Sequence, residues 1–542
     1  MLASDTSDGE PRPARVNRRT FLGRALRAGA ALSLGSTSLA RAASGPFGAP
    51  SAAPPNILII LVDQMRAPCW WPPQAALPQL LPNLARLRAG AVSFGRHYTA
   101  ANDCTPSRAA LLTGLHTHQT GCLITGRSEL DPGFPTFGSM LRDQGYRTWW
   151  YGKWHLSRSS TLEPWGFAGG TFPSPDGAPG QGVEADPMIV GQFAEWFAAH
   201  AQDGPWCTTV SFVNPHDISW WYRYTGLVAA EASAPALSTN LPPNFETPDQ
   251  LRGRKPAVQR SLQDTAALAF GAVPFTGRRA HAVWTRMLDT YLQLQRDVDR
   301  HIGSVLDVLA KAPGVAGNTI VIFTSDHGEY GGSHGLRGKG AGAYEEAIRV
   351  PLYVRDLRGP LVSAPHIERQ GLTSSVDLAP LLLTIASGSG AWRSDPRYAQ
   401  VASRPNLATM LVDPSSPGRP WVLHATDEIA TEFAPGRYAA EAPLHIVAIR
   451  TARAKLALYA NWRRGTMESQ PEGEERELYD YTTATGRLEL DNRAGASPLE
   501  PALRRLLENH AIPGELRAPL PPELIGAQQN GFAGYLALSS PS

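Results

Sequence analysis

"NILIILVDQ", Asn56 to Gln64, is a near-continuous apolar run that ends in an acid and an amide. A strand with one wet face alternates apolar and polar residues. An unbroken run suits a central strand buried on both faces, as in a parallel or mixed α/β sheet. "NTIVIFTSDHGE", Asn318 to Glu329, repeats the design far downstream. In open α/β sheets ligands bind beyond the carboxyl ends of the strands. Asp63 and Asp326 are therefore expected to meet in space.

Between these runs, helix-period segments "LPNLARLRAG", "TFGSMLRDQGY" and "MIVGQFAEWFAAH" alternate with strand candidates "RTWWYG" and "CTTVSFVN". The alternation reads as α/β with helices on both sheet faces. Residues 220–275 lack a clean period and are read as an excursion near the site. "VDPSSPGRP", Val412 to Pro420, is the linker candidate. Beyond it, "LHIVAIRTARAKLALYAN" reads as two strands with a turn near Ala452 to Ala454, and "PLEPALRRLLENHA" as the terminal helix of a small α+β unit.

Fifty Lys and Arg against 48 Asp and Glu give a net charge of +2. Residues 1–42 hold seven Arg and three acids, which leaves 43 basic against 45 acidic side chains in the remainder. That balance favours no nucleic-acid partner. Arg18 and Arg19, followed by Phe21-Leu22, a weakly apolar stretch and Ala40-Arg41-Ala42, have the ordered regions of an export signal and resemble the twin-arginine type. The expected destination is periplasmic or extracellular. A stable membrane anchor is not expected, because Arg27 interrupts a stretch short of the ~20 apolar residues a span needs. The expected organisation is a signal over 1–42, a linker over 43–55, a catalytic domain over 56–413 and a small domain over 420–542.

Only Cys69, Cys104, Cys122 and Cys207 are present, with no metal-type C-x-x-C spacing, so this is no disulfide scaffold. Cys104 stands ahead of "TPSRAALLTG", where Thr105 suits an N-cap, Pro106 the first helical position and Gly114 the stop. A helix N-terminus favours an anion and lowers a thiol pKa. Arg108, a cation in the first turn, opposes the helix dipole and is expected to aim back at whatever Cys104 holds.

Six segments share a theme of an anion held by cations and a metal: Asp63 and Gln64; Cys104 and Arg108; Lys153 and His155 in "YGKWHL"; His216 in "NPHD"; Asp326 and His327 in "SDHGE"; and Lys339 in "RGKG". Asp63, Gln64, Asp326 and His327 offer oxygen donors and one imidazole, which suits Ca²⁺, Mg²⁺ or Mn²⁺. Taken singly, each pair also fits a turn former or a structural histidine.

Together, and in this order, "CTPSRAALLTG", "YGKWHL" and "SDHGE…HG…GKG…YEEAIRVPL" resemble the formylglycine-dependent sulfatases of the alkaline phosphatase superfamily. The resemblance runs from about Asn56 to Arg355, and more weakly to about Asn492. It implies a three-layer α/β/α domain around a large mixed sheet, plus a small C-terminal α+β domain with an antiparallel sheet. It implies that Cys104 becomes Cα-formylglycine, whose hydrate attacks sulfur with one hydroxyl and expels sulfate through the other. It further implies one divalent metal at Asp63, Gln64, Asp326, His327 and the modified Cys104. Arg108 would steady the formylglycine, Lys153 and Lys339 bind sulfate oxygens, His155 handle the second hydroxyl proton, and His216, with Lys339, protonate the leaving alcohol.

Many sulfatases carry Asp-Asp and Asp-Asn where this chain has Asp63-Gln64 and Asp326-His327. The loss of one formal negative charge places Mn²⁺ or Mg²⁺ beside Ca²⁺, which is put first. The pairs also look like choline sulfatases and phosphonate monoester hydrolases, so a phosphonate or phosphate ester hydrolase is the rival enzyme reading, and an unmodified binding homologue the non-enzymatic one. Lys153 and His155 favour sulfate esters. Expected partners are a small sulfated substrate and, in maturation, a formylglycine-generating enzyme acting before the twin-arginine translocase. "GGSHG", Gly331 to Gly335, matches a serine-hydrolase motif but lacks the strand-to-helix turn that motif needs. Trp149, Trp150, Trp154, Trp220 and Trp221 flank the site loops and suit either core packing or stacking on an aromatic or quaternary ammonium substrate.

Overall fold

The structure, a computed structural model, describes residues 54–224, 230–463 and 466–539. The expected signal, 1–42, and all but the last two residues of the expected linker, 43–55, lie outside them. The main strands are β1 (Asn56–Val62), β2 (Arg147–Gly152), β3 (Trp206–Ser211), β4 (Thr319–Ser325) and β5 (Leu352–Asp356). With the two-residue edges Val92–Ser93 and Ala168–Gly169 they form a seven-stranded sheet, in the order Val92–Ser93, β5, β4, β1, β3, β2, Ala168–Gly169. β1 pairs in parallel with both β3 and β4, while β5 runs antiparallel to β4, so the sheet is mixed.

The apolar run of β1 is explained by where its side chains go. Ile57, Ile59 and Leu61 enter one core cluster and Leu58, Ile60 and Val62 another, all at 0% exposure. Successive strand residues point to opposite faces, so a strand between two helical layers needs apolar residues at both parities. The first layer contains α1 (Cys104–Thr113) and the opposite one α2 (Gln181–His200). Truncating a residue such as Leu58 to Ala would cost about 2–5 kcal/mol.

The stretch read as an aperiodic excursion contains α3 (Ala257–Phe270), whose Val258, Leu262, Ala266 and Ala269 are buried. Its apolar stripe is broken by Gln259 and Gln263, which are buried through hydrogen bonds to Tyr459 and the Gly335 carbonyl. A 34-residue helix, α4 (Gly277–Ala310), follows and was not anticipated; its inner end supplies Val298, Ile302 and Val305 to the second layer. α5 (Leu378–Ser387) completes the first layer.

A second sheet is antiparallel, in chain order: β6 (Trp421–Thr426), β7 (His445–Thr451), β8 (Ala454–Trp462) and β9 (Ser469–Asp480). One face packs on α6 (Glu500–Leu506) and the turns after it. The other shares a cluster with Tyr98, Tyr330 and Tyr344 of the large sheet's loops. The helix expected to be terminal is followed by α7 (Pro522–Ser539), which returns to the large domain: Gly531 abuts Gly121 so closely that a Cβ on Gly121 would lie 2.7 Å from the Gly531 backbone and one on Gly531 2.8 Å from that of Gly121. No helix among the described residues is long and apolar enough to cross a membrane.

Candidate active site

The register Val62↔Ser325 between β1 and β4 puts Asp63 and Asp326 side by side at the carboxyl end of the sheet. Gln64 turns the chain there with φ 68°, a conformation uncommon outside glycine. Its N–H donates to Asp326 Oδ1 (3.1 Å) and its carbonyl accepts from the Tyr291 hydroxyl (2.7 Å), which hold the turn.

α1 starts two residues earlier than expected, at Cys104, because Asp103 takes φ 61° and accepts from Ser107 N–H through its carbonyl. Thr105 is thus inside the helix, and its hydroxyl donates to the His155 carbonyl (2.9 Å). Gly114 ends the helix at φ 70°, as expected. Arg108 does not aim at Cys104. Its Nε donates to Asp326 Oδ2 (2.9 Å), Nη2 to Asp63 Oδ2 (3.1 Å), and Nη1 to the Lys153 carbonyl (2.6 Å) and Ser211 Oγ (3.0 Å). With no exposure to water, the guanidinium must find anions and acceptors, and the two aspartates provide them.

Asp63, Cys104, Asp326 and His327 bring one ligand atom each within 4.8 Å of one another. His327 Nδ1 lies 3.0 Å from the Gly328 carbonyl, which fixes it as the donor and turns Nε2 to Cys104 Sγ (3.3 Å) and Asp63 Oδ1 (3.5 Å). Burial opposes a charge on this ring, but Asp326 and Cys104 outweigh it and push the imidazole up to about 9. The anionic cluster draws in positive charge. Two carboxylates, an imidazole and a sulfur or oxygen at position 104 fit a hard or borderline divalent cation. Gln64 faces another way: its amide oxygen accepts from Lys339 Nζ (2.8 Å) and Ser219 Oγ (3.0 Å), and its amide nitrogen donates to Glu329 (2.6 Å).

Around Cys104 stand the expected cations. Lys153 Nζ is 3.5 Å from its sulfur and 2.7 Å from Asp63 Oδ2. Burial and Asp63 push the thiol up, yet Lys153 and Lys339 bring it below its ordinary value. His155 is half-buried beside Lys153; desolvation of the ring and the Lys153 charge push it down to about 3, so the ring is neutral. His216 follows the cis Asn214-Pro215 bond. Gly177, at φ 98°, lies on its ring, where a Cβ would come within 2.4 Å of Cε1. Nδ1 of both His155 and His216 is buried without a partner.

Glu432 was not anticipated. Its Oε2 is 3.0 Å from Lys339 Nζ and 3.4 Å from His216 Nε2, and one of its oxygens lies within 4.8 Å of both Cys104 Sγ and a His155 nitrogen. Burial alone would raise this carboxyl, but Lys339 and His216 hold it well below its ordinary value. The apolar strand ending in acids, "WVLHATDE", marks Asp427 and Glu428 as the pattern of Asp63 and Asp326 does, but Glu432 lies four residues beyond it and has no local signal of its own. Glu432 and His155 also line a cleft of about 700 Å³ with Thr125, Arg127, Arg158 and Phe433.

Two motifs are absorbed by structure. Ser333 of "GGSHG" accepts from the Trp70 indole (3.2 Å). Trp150, Trp154 and Trp221 are at most 1% exposed, so stacking on a substrate is closed to them; Trp150 and Trp154 pack edge to face in the core.

A family model for sulfatases matches residues 55–389. Among curated proteins, the chain is 26% identical over 385 residues to the uncharacterized sulfatase YidJ of Escherichia coli (strain K12), covering 61% of this chain and 68% of that one. It is 26% identical over 375 residues to the choline-sulfatase of Rhizobium meliloti (strain 1021), covering 61% and 67%. The matched part spans about two thirds of the length of these relatives. The phosphonate monoester hydrolase of Silicibacter pomeroyi shares the fold, with a TM-score of 0.63, 22% identity and coverage of 84% of this chain and 94% of that one.

Proposed function

We propose, from the premise that this chain belongs to the sulfatase family, that it hydrolyses a sulfate monoester to an alcohol and inorganic sulfate through Cα-formylglycine made from Cys104. The observation that carries this reading is the convergence of Cys104 with Asp63, Asp326 and His327 in one buried cluster bordered by Lys153 and Lys339. One divalent cation held there, Ca²⁺ first and Mn²⁺ or Mg²⁺ as alternatives, would polarise the nucleophile and a sulfate oxygen. The hydrated aldehyde supplies the hydroxyl that attacks sulfur and a second one through which sulfate is expelled.

The remaining roles fall to the chain's own side chains. Arg108 fixes both aspartates in place. Lys153 and Lys339 present ammonium groups to the sulfate oxygens, where negative charge grows in the transition state. His155, neutral beside Cys104, takes up the proton of the second hydroxyl, and His216 delivers one to the leaving alcohol.

Maturation by a formylglycine-generating enzyme before export through the twin-arginine route belongs to the same reading. Arg18-Arg19 supports the route, and the complete burial of Cys104 supports oxidation before the chain folds.

The test has two parts. The tryptic peptide His97 to Arg108 from native-host protein is weighed, and purified protein is offered paired aryl sulfate and aryl phosphonate esters. A peptide lighter by the thiol-to-aldehyde change, with higher kcat/KM on the sulfate, is the expected result. Preference for the phosphonate, to which Gln64 and His327 point, transfers the reading to the rival ester; an unmodified cysteine with no turnover leaves a binding protein.

A further inference from the structure

Glu432 stands out because its charge has the wrong sign for its place. Lys339 and His216, the groups assigned above to the sulfate ester and its leaving alcohol, both face this carboxylate. A sulfate monoester and a carboxylate cannot share those cations at such range without strong mutual repulsion. Nor is Glu432 built as a strut. Its side chain is 9% exposed, its Oε1 is buried without a partner, and the neighbouring His155 Nδ1 and His216 Nδ1 are unpartnered as well. A buried polar group is normally paired. Glu432 and His155 both bring a ligand atom within 4.8 Å of Cys104 Sγ, so their unpartnered atoms belong to side chains that border the site.

The loop that carries Glu432 is held by other residues. Asp427 accepts from His118 Nε2 (2.9 Å) and His445 Nδ1 (2.8 Å), Glu428 Oε1 accepts from Thr125 N–H (2.7 Å), and Thr431 shares a 2.6 Å hydrogen bond with Thr265. The backbone at 427–431 is thus pinned, and the Glu432 side chain is the part free to change. Beside it lies the cleft, where the exposed cations Arg127 and Arg158 can receive a displaced carboxylate.

We propose that Glu432 is an internal competitor of the substrate: its carboxylate occupies the anion subsite formed by Lys339 and His216, and the ester's anionic group binds only when Glu432 swings into the cleft. The inference rests on the sulfate-ester reading for the identity of the anion. It makes Glu432 a specificity-determining residue, one that excludes weakly held anions. A subsite open about one tenth of the time binds about tenfold more weakly than one always open.

The probe is inorganic sulfate, titrated calorimetrically into the metal-loaded full chain as wild type, Glu432→Gln and Glu432→Asp. Glu432→Gln, which keeps the shape and removes the charge, is expected to bind sulfate about tenfold or more tightly than wild type. Glu432→Asp, which withdraws the carboxylate by one methylene, should tighten binding by a smaller factor, and it carries the test should the first variant lack native circular dichroism. Equal or weaker sulfate binding in the folded variants, or none in any protein, overturns the proposal. Because binding needs no turnover, the two readings fail separately. Tighter binding without sulfate-ester hydrolysis removes the hydrolase, whereas hydrolysis without tighter binding removes the competitor.

Discussion

Arg108 donates through Nε to Asp326 Oδ2 at 2.9 Å, tying the second turn of the helix that carries Cys104 to the strand end 218 residues away. The same guanidinium reaches Asp63, which Lys153 also pairs at 2.7 Å, so Asp326 is the carboxylate that depends most on Arg108. Replacing Arg108 by Ala leaves Asp326 without its nearest cation, and a loss of about 3–5 kcal/mol is expected. Arg108→Lys should recover little of it, since an ammonium cannot reproduce the planar fork. Urea unfolding of the three proteins measures the effect; a loss below about 1 kcal/mol for Arg108→Ala would contradict it.

Cys104 is the precursor of the nucleophile in the proposed reaction. Cys104→Ala should lower kcat/KM on an aryl sulfate by at least about 10³-fold with little change in the unfolding midpoint. Turnover that survives the substitution would place the chemistry elsewhere.

Metal removal should act on stability as well as activity. A cation at one hundred times its Kd adds about 2.7 kcal/mol to the folded state, so chelation should lower Tm and re-addition restore it. The geometry also ranks the ligands. His327 turns Nε2 into the cluster, whereas the Gln64 amide is taken by Lys339, Ser219 and Glu329. His327→Ala should therefore weaken metal affinity more than Gln64→Ala, read from Tm against metal concentration; the opposite order would show that Gln64 turns in to ligate.

Stability should fall as the solution is acidified from pH 7 to 5. Burial pushes His97 down to about 3 and His116, His118 and His424 to about 4, so these rings stay neutral in the folded chain while the unfolded chain protonates near 6.5. The unfolded state then binds more protons, and stability declines through that window. At pH 5 each ring accounts for about 2 kcal/mol. Asp103 and Asp217, pushed up by burial to about 7 and about 6, and Asp186 and Glu428, raised by burial well above the ordinary carboxyl range, act in the opposite direction and take back part of the loss. A decrease between pH 7 and pH 5 in urea titrations, smaller than the four rings alone would give, is expected; a rise in stability on acidification would mean that the carboxyls dominate.

By itself the sequence determined the sheet and the roster of chemistry. An unbroken apolar run such as Asn56–Val62 has one stable use, between two helical layers, so β1, β4 and the site beyond their ends were legible, and the register Val62↔Ser325 realised the expected meeting of Asp63 and Asp326. Lys153, His155, His216, Lys339 and His327 were legible because each adjoins a strand end or glycine-rich loop whose local pattern announces it. What only the tertiary structure decided was how charges pair across remote segments. No local pattern says that Arg108 turns to two aspartates instead of Cys104, or that Gln64 takes Lys339. The helix Ala257–Phe270 was hidden because Gln259 and Gln263 are buried through partners far along the chain. Glu432 carries no local signal, since the acids that follow the apolar strand are Asp427 and Glu428, and its place comes from the fold bringing its loop against Lys339 and His216. Buried charge is satisfied by whatever opposite charge the fold delivers, and sequence spacing does not encode that delivery.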